Sequence, residues 1–237
     1  MEKESKNIFG VYCPMPSTIN IHSQRKTGGE ERIEELNGRI IYSVGHSNHE
    51  ADKFVTILQG FSIDVVVDVR SAPYSKYCPQ FNKEAIEQVL KRSGIKYIFL
   101  GKELGARPTD QSCYVDAVVS FEELKLSECF QRGISRLLEG IEKHNIAIMC
   151  SEKEAINCHR AILISRVLTE KGITVKHILS ETESIDQKDL EAMLLKKFEM
   201  EKTLFDTASS RQSDIDEAYK KQENVICYKE TVQDSTK

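Results

Sequence analysis

Between residues 38 and 180 the chain alternates short β-branched apolar runs with amphipathic stretches, and this alternation constrains the fold more than any other feature. The runs are RIIYSV (39 to 44), IDVVVDV (63 to 69), IKYIFL (95 to 100), IAIMC (146 to 150) and ITVKHI (173 to 178). A strand with one wet face alternates apolar with polar residues, whereas these runs are nearly continuous, as expected of parallel strands covered on both faces. The stretches between them carry helix punctuation. Ser47 and Glu50 have the spacing of a capping box and Gly60 supplies a stop; Asn82 is placed as an N-cap, with Phe81 and Ile86 as a hydrophobic staple and Gly94 beyond the end. Further helices are expected over 127 to 143 and over 158 to 171, the latter with Asn157 as its cap. The order predicts an α/β fold, a Rossmann-like open, mainly parallel sheet of about five strands with helices on both faces. Strand order is not written in the pattern.

Residues 1 to 37 lack periodicity and read as a weakly ordered N-terminal extension to a core domain at 38 to 180. Residues 181 to 237 turn polar and read as a C-terminal extension, helical and then partly disordered, with ENVICYK offering a short edge strand. Charged residues make up 30% of the chain and the net charge is only -4, so no global field recommends nucleic acid or a membrane, although a local basic pocket is compatible with both numbers. No apolar run approaches the ~20 residues that cross a bilayer. The opening MEKESKN lacks the apolar stretch of a secretory signal, so a cytoplasmic location is expected. Seven cysteines at scattered spacing then argue against a disulfide framework, and the absence of a C-x-x-C pair argues against a common zinc motif.

The chemistry-bearing residues gather at carboxyl ends of strands. VGHSN follows the first run, DVRSAP closes the second, GKELGARP follows the third and CSEKEAINCHR the fourth. In an open α/β sheet this edge lines the ligand crevice. Arg160 at a helix start opposes the helix dipole, and an anion held between the two resolves that conflict, with Arg70, Ser47, Asn82 and Glu103 as further binding candidates. The plainer alternative pairs Arg160 with Glu152 or Asp68 for structure alone. Cys158, beside His159 and Arg160, has the surroundings that favour a thiolate nucleophile; Cys150 reads either as its partner or as a small buried apolar residue. Glu152 and Asp68 are candidates for acid–base work, and His46 and His159 for proton transfer. No cofactor is expected, and the absence of a G-x-G-x-x-G after any strand favours transfer or hydrolysis over redox chemistry; a zinc site from Cys150, Cys158 and His159 would need a further ligand such as His46.

DVR followed by a cysteine-bearing loop resembles rhodanese-like and cysteine-phosphatase domains, but there an arginine closes the loop five residues after the cysteine. Here Cys150 and Arg160 are ten apart and Glu152 would repel an anion, which disfavours sulfur transfer. SVGHSN, VVVDVRSAPYSKYCPQFNKE, GIKYIFLGKELGARP and IAIMCSEKEAINCHRAILISRVLTEKGITVKHI, in that order, together resemble the bacterial and archaeal family catalogued as domain of unknown function 488. The resemblance covers about residues 38 to 180, and AYKKQENVICYK is similar to a later element of the family. It implies an α/β domain with Gly-His-Ser, Asp-x-Arg, Glu-Leu-Gly and Cys-x-Glu…Cys-His-Arg hallmarks, and it implies no reaction. The residues themselves favour an enzyme of transferase or hydrolase type acting on a small anionic ligand, a nucleotide or a nucleic-acid end. A non-catalytic nucleotide- or anion-sensing module is the alternative. Neither reading specifies an oligomeric state.

Overall fold

The computed structural model describes residues 38–200 and 208–230. The N-terminal extension expected over 1 to 37 and the end expected to fray lie outside the described residues. The five expected strands form, as β1 (Ile40–Gly45), β2 (Val65–Asp68), β3 (Lys96–Phe99), β6 (Ile146–Cys150) and β7 (Thr174–Ile178). Two features extend the expectation: a small hairpin of β4 (Tyr114–Val115) and β5 (Val118–Val119), and an antiparallel edge strand β8 (Ser184–Asp186) beside β7. The main sheet runs β3-β2-β6-β1-β7-β8, and all its pairings except β7 with β8 are parallel.

The pleat of the buried strands divides the core in two. Val44, Val66, Ala147 and Met149 face helices α1 (Ala51–Gly60) and α2 (Lys83–Arg92), through Phe54, Leu58, Ile86 and Leu90. Val65, Val67, Ile146 and Ile148 face the other way, toward α5 (Glu128–Ile141) and the 160–170 helix. Between these lie the short helices α3 (Gly101–Leu104) and α4 (Phe121–Leu126). A strand buried on both faces gains from a β-branched residue at every position, which is why VVVD reads as an unbroken run.

The C-terminal residues belong to the second core. Helix α6 (Arg166–Glu170) leads to β7, and α7 (Gln187–Lys197) and α8 (Ala208–Ile226) then bury Leu190, Leu194, Ala218 and Tyr219 in that cluster. ENVICYK was expected as an edge strand, yet its first four residues end α8. Tyr228 and Glu230 pair instead with the hairpin, through Val119 N–H to Tyr228 O at 3.0 Å and Glu230 N–H to Ala117 O at 2.9 Å. Residues 228–230 thus stand at the sheet's carboxyl edge.

Connections after β1 and β2 travel along the first face, while those after β3 and β6 travel along the second, in the opposite direction. Right-handed crossovers require this pairing of direction with face. Because β6 lies between β1 and β2, its outgoing chain diverges from both neighbours, and a crevice opens at its carboxyl end.

Candidate active site

Cys150 closes β6, and the following loop folds back over the end of β1. His46 N–H donates to Cys150 O at 2.9 Å and Ser47 N–H to Ser151 O at 3.0 Å. Only glycine fits at position 45, where a Cβ would stand 1.9 Å from the Glu152 carbonyl oxygen. Arg160, 1% exposed, braces the same loop: Nη1 donates to Glu152 O at 2.7 Å and Nη2 to Lys153 O at 3.1 Å. The guanidinium expected to hold an anion or a carboxylate is therefore committed to backbone carbonyls, with a buried Nε lacking any acceptor.

The helix start also differs from expectation. Asn157 ends a 3₁₀ turn (Ala155–Asn157), and Cys158 is the capping residue, extended at φ -135 and ψ 138, with its carbonyl accepting from Ala161 N–H at 3.0 Å and Ile162 N–H at 3.1 Å. The helix then opens as a wide π-turn over Arg160–Ser165, where Ser165 Oγ donates to the Arg160 carbonyl at 2.7 Å. Such widened turns recur at functional sites.

This start delivers an imidazole to two sulfurs. His159 Nδ1 lies 3.8 Å from both Cys150 Sγ and Cys158 Sγ, and Nε2 lies 3.1 Å from Val69 O. A carbonyl only accepts, so in the neutral ring Nε2 carries the hydrogen and the Nδ1 lone pair faces the thiols. Burial raises the Cys158 thiol, but hydrogen bonding from Cys150 and the charge and N–H groups of Arg160 outweigh it and lower the thiol to about 7. The hydrogen bond with Cys158, then burial, pushes Cys150 up, so the pair holds one negative charge more readily than two.

On the neighbouring strands the expected site residues form a separate network. Asp68, wholly buried, accepts from Arg70 Nη2 at 2.6 Å, from the Arg70 backbone N–H at 3.0 Å and from the Tyr97 hydroxyl at 2.7 Å. Arg70 also donates to Phe81 O and, through Nη1, to His46 Nε2 at 3.1 Å, leaving one of its five hydrogens uncommitted. His46 donates from Nδ1 to Ser47 O at 2.7 Å and stacks on Phe81, its ring centroid 4.2 Å away. Burial, and then the Arg70 charge, lowers His46 to about 4 and keeps it neutral. A proton carrier needs a free nitrogen, and His46 has none.

The remaining candidates disperse. Ser47, at φ 49, donates to Asn48 rather than capping α1, whose N-cap is Glu50. Asn82 precedes α2 but turns its Oδ1 to Ser75 N–H at 2.7 Å. Glu103 pairs with Arg136 at 2.7 Å, beside Tyr97 in a different depression. Glu152 is exposed at the mouth of the crevice.

A cavity of about 650 Å³ opens here, and its walls include Cys150, Cys158 and His159. The walls also bring in residues that no sequence motif assigns to the site, among them Arg107, Cys227, Tyr228 and Lys229. Arg107 stacks over the Tyr228 ring at 4.5 Å, and neither Arg107 nor Lys229 forms an ion pair among the described residues. Burial pushes the Cys227 thiol up to about 12. The sequence signals were the arginine closing GKELGARP and the late CYK, but nothing local says that they meet.

Residues 50–167 match the family model described as Domain of unknown function DUF488. The match runs from the start of α1 into α6, so it contains Asp-x-Arg, Glu-Leu-Gly and Cys-x-Glu…Cys-His-Arg, while Gly45, His46 and Ser47 precede it. No curated protein and no solved structure matches the chain.

Proposed function

Residues 50–167 make this chain a member of the DUF488 family, and from that premise we propose that the cavity at the carboxyl end of β6 is an active site for a small anionic substrate. The observation that carries this reading is one convergence: two thiols and an oriented imidazole share a cavity wall with two cations that form no ion pair among the described residues. Arg107 and Lys229 are the groups that attract the anion, since Arg160 and most of Arg70 are engaged internally. Tyr228, held beneath Arg107, and Tyr74 offer flat surfaces for a base or sugar, so a phosphate-bearing or nucleotide-like substrate fits the lining. The reaction belongs to the transfer or hydrolysis class, with the chemistry at the Cys150, Cys158 and His159 centre.

A thermal-shift screen over phosphate, sulfate and nucleotides tests this. A ligand at a hundred times its Kd stabilises the folded state by about 2.7 kcal/mol, and the shift is expected to disappear in the Arg107→Ala, Lys229→Ala double variant. Stabilisation by no anion, or a shift unchanged in the double variant, rejects the reading. A sensing module would show the same shift with no turnover of any bound compound.

A further inference from the structure

We propose that Cys150 Sγ, Cys158 Sγ and His159 Nδ1 bind a divalent ion of the zinc class, whose fourth coordination position opens into the cavity. The role of that open position rests on reading the cavity as an active site; the ion's binding does not. The three donor atoms lie within 4.8 Å of one another, and theirs is the one group of three or more metal-ligating side chains found among the described residues. Tetrahedral zinc, with Zn–S of about 2.3 Å and Zn–N of about 2.0 Å, sets ligand atoms about 3.6 Å (S to N) and 3.8 Å (S to S) apart. Both sulfurs already stand 3.8 Å from Nδ1, within a few tenths of an ångström of the S-to-N spacing an ion requires, and all three donors lie within 4.8 Å of one another.

The second observation is the far side of the imidazole. Nε2 faces Val69 O at 3.1 Å, and this backbone acceptor fixes the tautomer and turns the Nδ1 lone pair toward the sulfurs. A ligating histidine is oriented in this way by its outer hydrogen bond. Two thiolates and an imidazole suit zinc, and exclude magnesium and calcium, which take oxygen ligands. Each thiol loses its proton on binding, so two protons leave and the charges of two thiolates offset that of the ion. All three side chains are buried, which removes competing water from every direction but the cavity.

The fourth ligand is not His46, the residue expected to complete a zinc site. Both its nitrogens are engaged, with Ser47 O and with Arg70. Cys227 lines the cavity but stands outside the cluster. Three protein ligands with an open position is the composition of a catalytic zinc rather than a structural one. It places water, or the anionic group drawn in by Arg107 and Lys229, at the ion, and it makes Cys158 a ligand instead of a nucleophile.

The test is a cobalt(II) titration of the full chain after chelator treatment and reduction. About one ion per chain is expected, with thiolate-to-cobalt charge-transfer absorption and the intense visible bands of a tetrahedral site. Cys158→Ser and Cys150→Ser each remove the charge-transfer contribution of one sulfur and weaken binding at least tenfold, whereas Cys227→Ser leaves both intact. Zinc then displaces cobalt and protects Cys150 and Cys158 from alkylation in the wild-type chain, with the half-buried Cys78 and Cys129 unprotected as internal controls. This protection needs no variant to fold. No cobalt bound, bands that survive in Cys158→Ser, or zinc that leaves both thiols reactive overturns the proposal. Loss of the ion in Cys227→Ser contradicts the open position. None of these readouts depends on anion binding, so they separate failure of the metal site from failure of the anion reading.

Discussion

Two histidines lie beside the carboxyl edge of the sheet, His46 just past β1 and His159 at the helix start after β6, and their surroundings divide scaffold from site. His46 belongs to a closed set in which Arg70, Asp68, Tyr97 and the Phe81 and Ser47 carbonyls answer one another's donors and acceptors. His159 has one nitrogen fixed by Val69 O and the other turned to two thiols beside a cavity. Both rings are buried, so burial alone does not tell them apart. What tells them apart is hydrogen-bond completion: a satisfied network rigidifies the fold, and an incomplete one keeps a lone pair for a ligand.

The largest effect should come from opening the closed network. Asp68→Ala leaves the buried Arg70 without its counter-charge and is expected to cost about 3–5 kcal/mol in urea unfolding, whereas Cys158→Ser in the metal-free chain should cost about 1 kcal/mol. Equal losses would erase the distinction. The next effect is a pH dependence. His46 is held near 4 in the folded chain and titrates near its usual 6.5 when unfolded. The unfolded state therefore binds the extra proton between those values, so the stability this histidine confers is full above about pH 6.5 and is lost as pH falls toward 4. Between about pH 7 and about pH 5 this amounts to about 2 kcal/mol, and His46→Gln should flatten that slope.

An effect of similar size, but local, is expected where the β6 loop crosses β1. Gly45→Ala drives a methyl against the Glu152 carbonyl and should cost about 1–3 kcal/mol, with the loop that Arg160 braces displaced and any anion-induced thermal shift reduced. Smallest of all for the fold is Arg107→Ala, an exposed side chain whose removal should change stability by less than about 0.5 kcal/mol while weakening anion binding. An Arg107 variant that loses stability and keeps binding would make that arginine part of the scaffold.

The sheet was legible because its central strands β2 and β6 are buried along their whole length, which imposes unbroken apolar runs such as VVVD, and because even the half-exposed edge strand β3 keeps an apolar run. The crossing of β6 between β1 and β2 was not, since no local pattern encodes strand order. Within the site, the gathering of Cys150, Cys158 and His159 follows from their place at one strand end and one helix start. Arg160 misled because the sequence shows its charge and its position but not the two loop carbonyls that fold back to meet it. Asn157 looked like a cap by residue type, yet the 3₁₀ turn moved the helix start one residue on and the π-turn widened it. Arg107 and Lys229 were illegible for a longer-range reason. Lys229 reaches the cavity because the C-terminal segment pairs with the hairpin at Val118 and Val119, more than a hundred residues earlier, and the same pairing sets Tyr228 against Arg107.

The most direct measurement compares two thiols of one cavity, Cys158 and Cys227, by timed alkylation and mass spectrometry of the chelator-treated chain. Both are buried, but only Cys158 has the imidazole and guanidinium beside it. The account predicts that Cys158 is labelled well ahead of Cys227 and that zinc abolishes its labelling. Labelling of the two at the same rate, indifferent to zinc, would contradict it.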